Sequence, residues 1–287
     1  MPKDKYTAVW VSHSSINDFL NCPRAYYYNH IYRDPNTGHK IQLMSPPLAL
    51  GQIVHEVLES LSVLPVKDRF KKSLIERFNQ TWKKVSGEKG GFFNESTEKH
   101  YKERGEEILR RVMRHPGPIE ELAVKIQQDL PYYWLSEEEE IILCGKIDWL
   151  QYLPDEDAVH IIDFKTGKKR ENENSLQLPI YHLLVHNVQK RKVVKASYWY
   201  LQTDDKLTEK ELPDLEEAHK EVLQVAKKIK LARKLEHFKC PQGEGGCPFC
   251  RPFAMIVAGK GKKVGTNDYK QDVYVLNQED KKEAVVL

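Results

Sequence analysis

Long apolar runs are absent from the 287-residue chain. Nothing approaches the roughly 18 consecutive apolar residues of a membrane span, and Met1-Pro2-Lys3-Asp4-Lys5 lacks the apolar core of a secretory signal. The expectation is a soluble, cytoplasmic protein with no membrane partner. An excess of one charge sign is absent too. Lys and Arg number 45 against 42 Asp and Glu, a formal net charge of +3, so affinity for nucleic acid has to come from a local patch rather than an overall polycation. Cysteine is scarce, at five residues unevenly placed, which argues against a secreted disulfide scaffold and makes metal binding the commoner use of a cytosolic thiol cluster. No G-x-x-x-x-G-K-[ST] segment occurs, so the chain carries no P-loop ATPase and is not itself a helicase. No internal repeat is visible.

What is present fits one elaborated domain. Ser12-His13-Ser14-Ser15, followed by Ile16, Phe19 and Leu20, reads as a capped helix leading into the aromatic run Tyr26-Tyr27-Tyr28. Apolar residues at 50, 53, 54, 57, 58 and 61 give helical spacing over 48–61, with His55 riding on that helix. Helical patterns follow over 67–84 and 97–114 and suggest a helical insertion. From Ala123 the pattern changes to short β-branched segments at 124–126, 141–143 and 159–162, then a helix over 175–189, an alternating strand over 193–201 and a charged helix over 215–237. The chain therefore divides into an N-terminal segment (1–47), a helical region (48–121), an α/β core (122–236), a cysteine-rich segment (237–253) and a basic, then mixed, tail (254–287) with weak periodicity.

The chemistry concentrates at two places. Asp148, in Gly145-Lys146-Ile147-Asp148-Trp149, is expected to end one strand, and Asp163 and Lys165 end the next. Side chains alternate along a strand, so Asp163 and Lys165 share a face and Phe164 points the other way. Phosphodiester hydrolysis needs a divalent cation, a water beside it and a cation to orient that water, which two Asp and one Lys can arrange. An isolated D-x-K carries little weight. Here it stands after the helical His55 and before Gln177-Leu178-Pro179-Ile180-Tyr181. Glu56 lies about 100° around the helix from His55 and is a secondary candidate that reads more as a surface charge.

These four elements in this order resemble the RecB-like PD-(D/E)XK nucleases, over about residues 12–252. The resemblance implies an α/β restriction-endonuclease-like core, a mixed central sheet flanked by helices, with a helical insertion. It implies that His55, Asp148, Asp163 and the backbone carbonyl of Phe164 hold Mg²⁺ or Mn²⁺. Lys165 would then position the attacking water, and Gln177 and Tyr181 would support the site or touch DNA. An imidazole ligand suggests tolerance for manganese. The implied function is a metal-dependent deoxyribonuclease, an exonuclease working on DNA ends or single strands. The alternative is a non-catalytic DNA-binding or assembly subunit in recombination, repair or CRISPR adaptation. A helicase or integrase-type protein is the implied partner. His13, Arg24, Tyr26-Tyr27-Tyr28 and Lys168 to Arg170 are candidate strand contacts, with the aromatics fitting the core equally well and the basic residues a solvated turn.

The second place is Cys240, Cys247 and Cys250, a C-x6-C-x2-C cluster rich in Pro and Gly that leaves one coordination position open. Phe19-x-x-Cys22-Pro23-x-x-Tyr26 resembles the early cysteine of the iron–sulfur nucleases of this family, among them the AddB subunit and the CRISPR-adaptation exonucleases. By that resemblance Cys22 is the fourth ligand of a 4Fe–4S cluster stapling the N- and C-terminal segments together, although the long gap here precedes the C-x2-C pair instead of following it. A structural Zn²⁺ fits the same four thiolates. Cys144 reads as a small apolar residue in a strand.

Overall fold

The structure, a computed structural model, describes residues 4–277. In chain order the elements are β1 (Val9–Val11), α1 (His13–Asn21), α2 (Pro23–Tyr26), β2 (Lys40–Leu43), α3 (Pro46–Glu59), α4 (Leu74–Trp82), α5 (Glu95–Arg114), β3 (Tyr132–Ser136) and β4 (Ile141–Cys144). They continue with β5 (Trp149–Leu153), β6 (Ala158–Lys165), α6 (Gln177–Val188), β7 (Lys192–Tyr200), β8 (Thr208–Lys210), α7 (Leu215–Lys234), α8 (Arg251–Val257), β9 (Lys262–Thr266) and β10 (Gln271–Val275). The mixture of helices with mixed sheets is the expected α/β class. Among the described residues no helix is long and apolar enough to cross a membrane.

The chain forms two compact units. The first takes the residues up to His13, Gly51–Thr81 and Glu103–Lys228; the second takes Ser14–Leu50, Trp82–Lys102 and the chain from Ile229 onward. In the first unit β1 runs parallel to β4 and β3 antiparallel to it. A second sheet has the order β5-β6-β7-β8, with a parallel β6–β7 pair and antiparallel outer pairs. β6 is buried from Ala158 through Phe164, which is why it reads as one apolar run and not as an alternation. A parallel pair needs a crossover, and α6 supplies it. Leu178, Ile180, Leu183, Leu184 and Val185 of α6 are all buried, so this helix is apolar around most of its surface. At Gly145 a Cβ would stand 3.0 Å from Leu184 Cδ1, so the link between β4 and β5 packs tightly on α6.

Three details differ from the sequence reading. Residues 124–126 form no strand; only Ala123 bridges to Gln151, and Val124 N–H donates to the Leu150 carbonyl at 2.8 Å. Asp148 does not end a strand but stands just before β5, whose pairing with β6 begins at Trp149 opposite Ile162. The helix expected over 67–84 starts only at Leu74. The cause is Arg69, only 3 % exposed. Its Nε lies 3.1 Å from the Leu61 carbonyl and 3.2 Å from that of Leu64, one Nη lies 2.6 Å from the carbonyls of both Ile119 and Glu121, and the guanidinium sits 5.0 Å from the Trp149 ring centroid. Turning that side chain inward to four carbonyls sets the path of the backbone around it.

In the second unit β10 pairs parallel with β2 and antiparallel with β9. The tail, weakly periodic in sequence, is therefore ordered into α8, β9 and β10 up to its described end; residues 278–287 lie outside the described residues. Asp272, fully buried on the central strand β10, receives the Thr37 hydroxyl at 2.8 Å and the Thr266 hydroxyl at 3.1 Å, with His39 Nδ1 at 2.9 Å and the Lys263 ammonium at 2.7 Å. Burial pushes its carboxyl up from the ordinary 3.8, but these four partners outweigh burial and hold it well below that value.

Arg69→Met strips the donor from four carbonyls, and urea unfolding should show a loss of about 3 kcal/mol or more; Arg69→Lys should restore only part, because an ammonium lacks the planar fork. A carboxyl depressed in the fold stabilises above its unfolded pKa and loses that contribution as pH falls through the folded value. Stability should accordingly decline below about pH 4, and Asp272→Asn, less stable at neutral pH, should flatten that decline in a pH series of thermal midpoints.

Candidate active site and cysteine centre

α3 buries Ile53, Val54, Val57 and Leu58, which turns His55 and Glu59, one helical turn apart, to a common side. Their closest atoms lie 3.7 Å apart, and His55 Nδ1 is 3.3 Å from Asp148 Oδ1. The other Asp148 oxygen accepts the Phe164 N–H at 2.8 Å. Because β5 pairs with β6 only up to Ile162, this carboxylate takes the N–H that a longer strand would have used.

Gln177, at the start of α6, is the hub of the site. Its Nε2 donates to Asp163 Oδ1 at 2.7 Å and to the Tyr181 hydroxyl at 3.2 Å, while its Oε1 accepts from the Lys165 ammonium. Lys165 Nζ also lies 3.0 Å from Asp163 Oδ2 and 2.9 Å from Glu171. Asp163 is 2 % exposed, and its Oδ2 is buried with no hydrogen bond, the nearby ammonium being outside hydrogen-bond geometry.

Burial raises Asp163, the neighbouring Asp148 charge raises it further, and Lys165 and His55 offset this in part, leaving it at about 7. For His55, burial acts downward but the Asp148 carboxylate, with Glu59 and Asp163 behind it, carries it up to about 10. Lys165 follows the same pattern: burial lowers it, and Asp163 and Glu171 more than reverse that. Burial, with Asp163 and Asp148 nearby, holds the Tyr181 phenol protonated. The carboxylates thus favour the protonated forms of His55 and Lys165, and an ion that takes His55 as a ligand displaces its proton.

In the second unit Cys22, Cys240, Cys247 and Cys250 bring their sulfurs within 4.8 Å of one another, all buried. Cys22 precedes α2, and the other three lie on the loop into α8. Arg24 holds that loop by donating to the carbonyls of Glu244 at 2.9 Å and Gly243 at 3.1 Å. Gly246 has φ +75°, and a Cβ there would sit 3.1 Å from Cys250 Sγ, so glycine is needed for both the turn and the room. Burial pushes the Cys22 thiol up to about 12 and raises Cys250 as well. At Cys247 burial is outweighed by the N–H groups of Cys250 and Phe249, leaving it at about 7.

The description of the PD-(D/E)XK nuclease superfamily matches residues 10–254. The chain belongs to that superfamily. No curated protein matches it. Membership of the PD-(D/E)XK superfamily points to a metal-dependent nuclease and implies phosphodiester hydrolysis.

The residues fit a divalent ion. His55, Glu59 and Asp148 offer ligand atoms within 4.8 Å of one another, and Asp163 Oδ2, buried without a hydrogen bond and faced by the Lys165 ammonium at 3.0 Å, keeps lone pairs for an ion. All the residues expected to act together, His55, Asp148, Asp163, Phe164, Lys165, Gln177 and Tyr181, lie in the first unit and are linked by the contacts above. Two participants escaped the sequence reading. Glu59 is signalled by its i+4 spacing from His55, which places it, and not Glu56, on the same helix face. Glu171 sits in a polar loop with no periodicity to mark it. Arg170, a candidate phosphate contact, is paired to Asp204 at 2.6 Å. Tyr26 is 1 % exposed, its ring stacked on His30 at 5.1 Å, so it is a core residue and not a strand contact.

The four cysteines, their sulfurs within 4.8 Å of one another, can bind an iron–sulfur cluster or zinc. Cys22→Ser should sharply reduce metal per chain in elemental analysis and lower the thermal midpoint by about 5 °C or more, while Cys144→Ser should keep the metal.

Proposed function

We propose that this chain is a Mg²⁺- or Mn²⁺-dependent deoxyribonuclease of the RecB-like kind, an exonuclease working at DNA ends or on single strands. The observation that carries this reading is the convergence of His55, Asp148, Asp163 and Lys165, with His55 3.3 Å from Asp148 and Lys165 3.0 Å from the buried Asp163. His55, Asp148 and Asp163 would hold the ion, with Glu59 beside them. The Phe164 carbonyl is a reasonable fourth donor. In an extended strand a residue's N–H and C=O leave on the same side, and the Phe164 N–H is directed at Asp148. A divalent ion in this position supplies charge neutralisation at the phosphate and a more acidic bound water.

Lys165 is kept protonated by Asp163 and Glu171, so its role is to orient the attacking water and to offset negative charge on the phosphate. Gln177 fixes Asp163 and Lys165 relative to each other, and Tyr181 fixes Gln177. Arg69, Trp149 and Phe164 lie behind this set and hold the strand end in place. With no P-loop, unwinding of duplex DNA would fall to a helicase partner; an integrase-type partner is the alternative within the same resemblance. The free cysteines suit a reducing cytoplasm.

For the cysteine centre a 4Fe–4S cluster is supported by the early Cys22-Pro23 and the three late cysteines. One observation favours zinc as a second reading: the Cys247 and Cys250 sulfurs lie 3.8 Å apart, close to the roughly 3.8 Å edge of a thiolate tetrahedron around one ion with 2.3 Å bonds. A cluster seats each thiolate on its own iron and spreads them farther. Elemental analysis of anaerobically purified protein decides, since iron with broad visible absorbance supports the cluster and one colourless zinc per chain replaces it.

On end-labelled DNA, Mg²⁺ or Mn²⁺ should give products that shorten stepwise, EDTA should give none, and Lys165→Ala and Asp163→Asn should each lower the rate by about 100-fold or more. Internal cuts would remove the exonuclease assignment. Wild-type protein that binds DNA but never cuts it would leave an assembly subunit.

A further inference from the structure

We propose that the hollow between the π-helical turn Tyr27–Ile31 and the chain following α7 is a binding groove for single-stranded nucleic acid. Bases lie on Tyr27, Tyr28 and Phe238, and phosphates lie on Arg233 and Lys239. The inference rests on the nuclease reading only in taking DNA as the strand.

The hollow has a volume of about 740 Å³, within the size range of small-ligand sites and room for a nucleotide or two. Three aromatic rings, packed on one another, line its wall. The Tyr27 and Phe238 ring centroids are 5.2 Å apart at an interplanar angle of 32°, and those of Tyr27 and Tyr28 are 5.6 Å apart at 60°. All three rings are half-buried, seated by their neighbours but still presenting surface to the hollow. Around them stand Arg24, Arg233 and Lys239 against the single acid Glu236. Arg24 is pinned by the carbonyls of Gly243 and Glu244, so its charge is fixed in the wall, while Arg233 and Lys239 are exposed at the rim.

This combination selects the ligand. An excess of cations favours a polyanion, but cations alone would serve a duplex or an acidic peptide equally well. Aromatic faces are useful only to bases that are not already stacked in a helix, and stacking on them tolerates any sequence. A single strand uses both features; a duplex hides its base faces, and an acidic peptide leaves the rings idle. The hollow involves none of the residues assigned to the metal site.

The test is a titration of the full-length protein, its cysteine centre loaded, against fluorescein-labelled oligothymidylate without added Mg²⁺ or Mn²⁺, followed by anisotropy, with duplex of the same length in parallel. Tyr27→Leu combined with Tyr28→Leu should weaken single-strand binding by about tenfold or more. Tyr28 packs against the cysteines, so metal content is measured on that variant. Lys239→Glu, at an exposed position, probes the groove without touching the core; it should weaken binding and reduce the salt slope by about one. The proposal is overturned if Lys239→Glu binds like wild type, if the aromatic variant keeps both its metal and its affinity, if duplex binds as tightly as single strand, or if wild type binds no single strand. Cleavage by wild type in Mg²⁺ or Mn²⁺ is read separately. Cleavage with unaffected variants refutes the groove alone, whereas groove-dependent binding without cleavage refutes the nuclease reading alone.

Discussion

Two carboxylates side by side at the buried end of a strand repel each other, and each would rather be in water. Asp148 and Asp163 stay in place because every surrounding group answers that cost. The Phe164 N–H takes one Asp148 oxygen, His55 faces the other, Gln177 takes one Asp163 oxygen, and Lys165 stands beside the second. The arrangement gathers more carboxylate than its two cations neutralise, and that excess is what a divalent ion would meet.

The same constraint explains the scaffold of the first unit. A site assembled from α3, the residue before β5, the end of β6 and the start of α6 works only if those four pieces cannot drift. The burial of β6, the close approach at Gly145 and the four-carbonyl grip of Arg69 hold them. In the second unit, two ties join segments far apart in the chain. One is the cysteine set between Cys22 and the loop before α8; the other is Asp272, which reaches His39 and Thr37 beside β2 as well as Lys263 and Thr266 on β9. Each closes a long loop, where a cross-link has most to gain.

Much of the candidate set was legible in the sequence because local periodicity placed its residues and the order of four motifs resembled a known family. A strand period of two put Asp163 and Lys165 on one side, a helical stripe put His55 on the flank of α3, and the C-x2-C spacing marked a turn that gathers thiols. The misreadings have equally physical causes. The 124–126 segment is apolar and β-branched but finds only a single bridge, since strand formation depends on a partner as much as on propensity. The helical pattern at 67–73 gave way to the pull of one buried guanidinium. The strands β9 and β10 were hidden because a short, half-exposed sheet carries little alternation.

By itself, the sequence determined which residue types could do chemistry and which of them share a face, since both depend on neighbours within a few positions. Tertiary structure alone decided that Gln177 would bridge Asp163 and Lys165, that Glu59 and Glu171 would join the site, and that Asp148 would precede its strand and cap the open Phe164 N–H. It also decided that Tyr26 would be sealed in the core while Tyr27, Tyr28 and Phe238 line a hollow. Those outcomes depend on hydrogen-bond geometry and packing between residues far apart in the chain, and such contacts leave no period in the sequence.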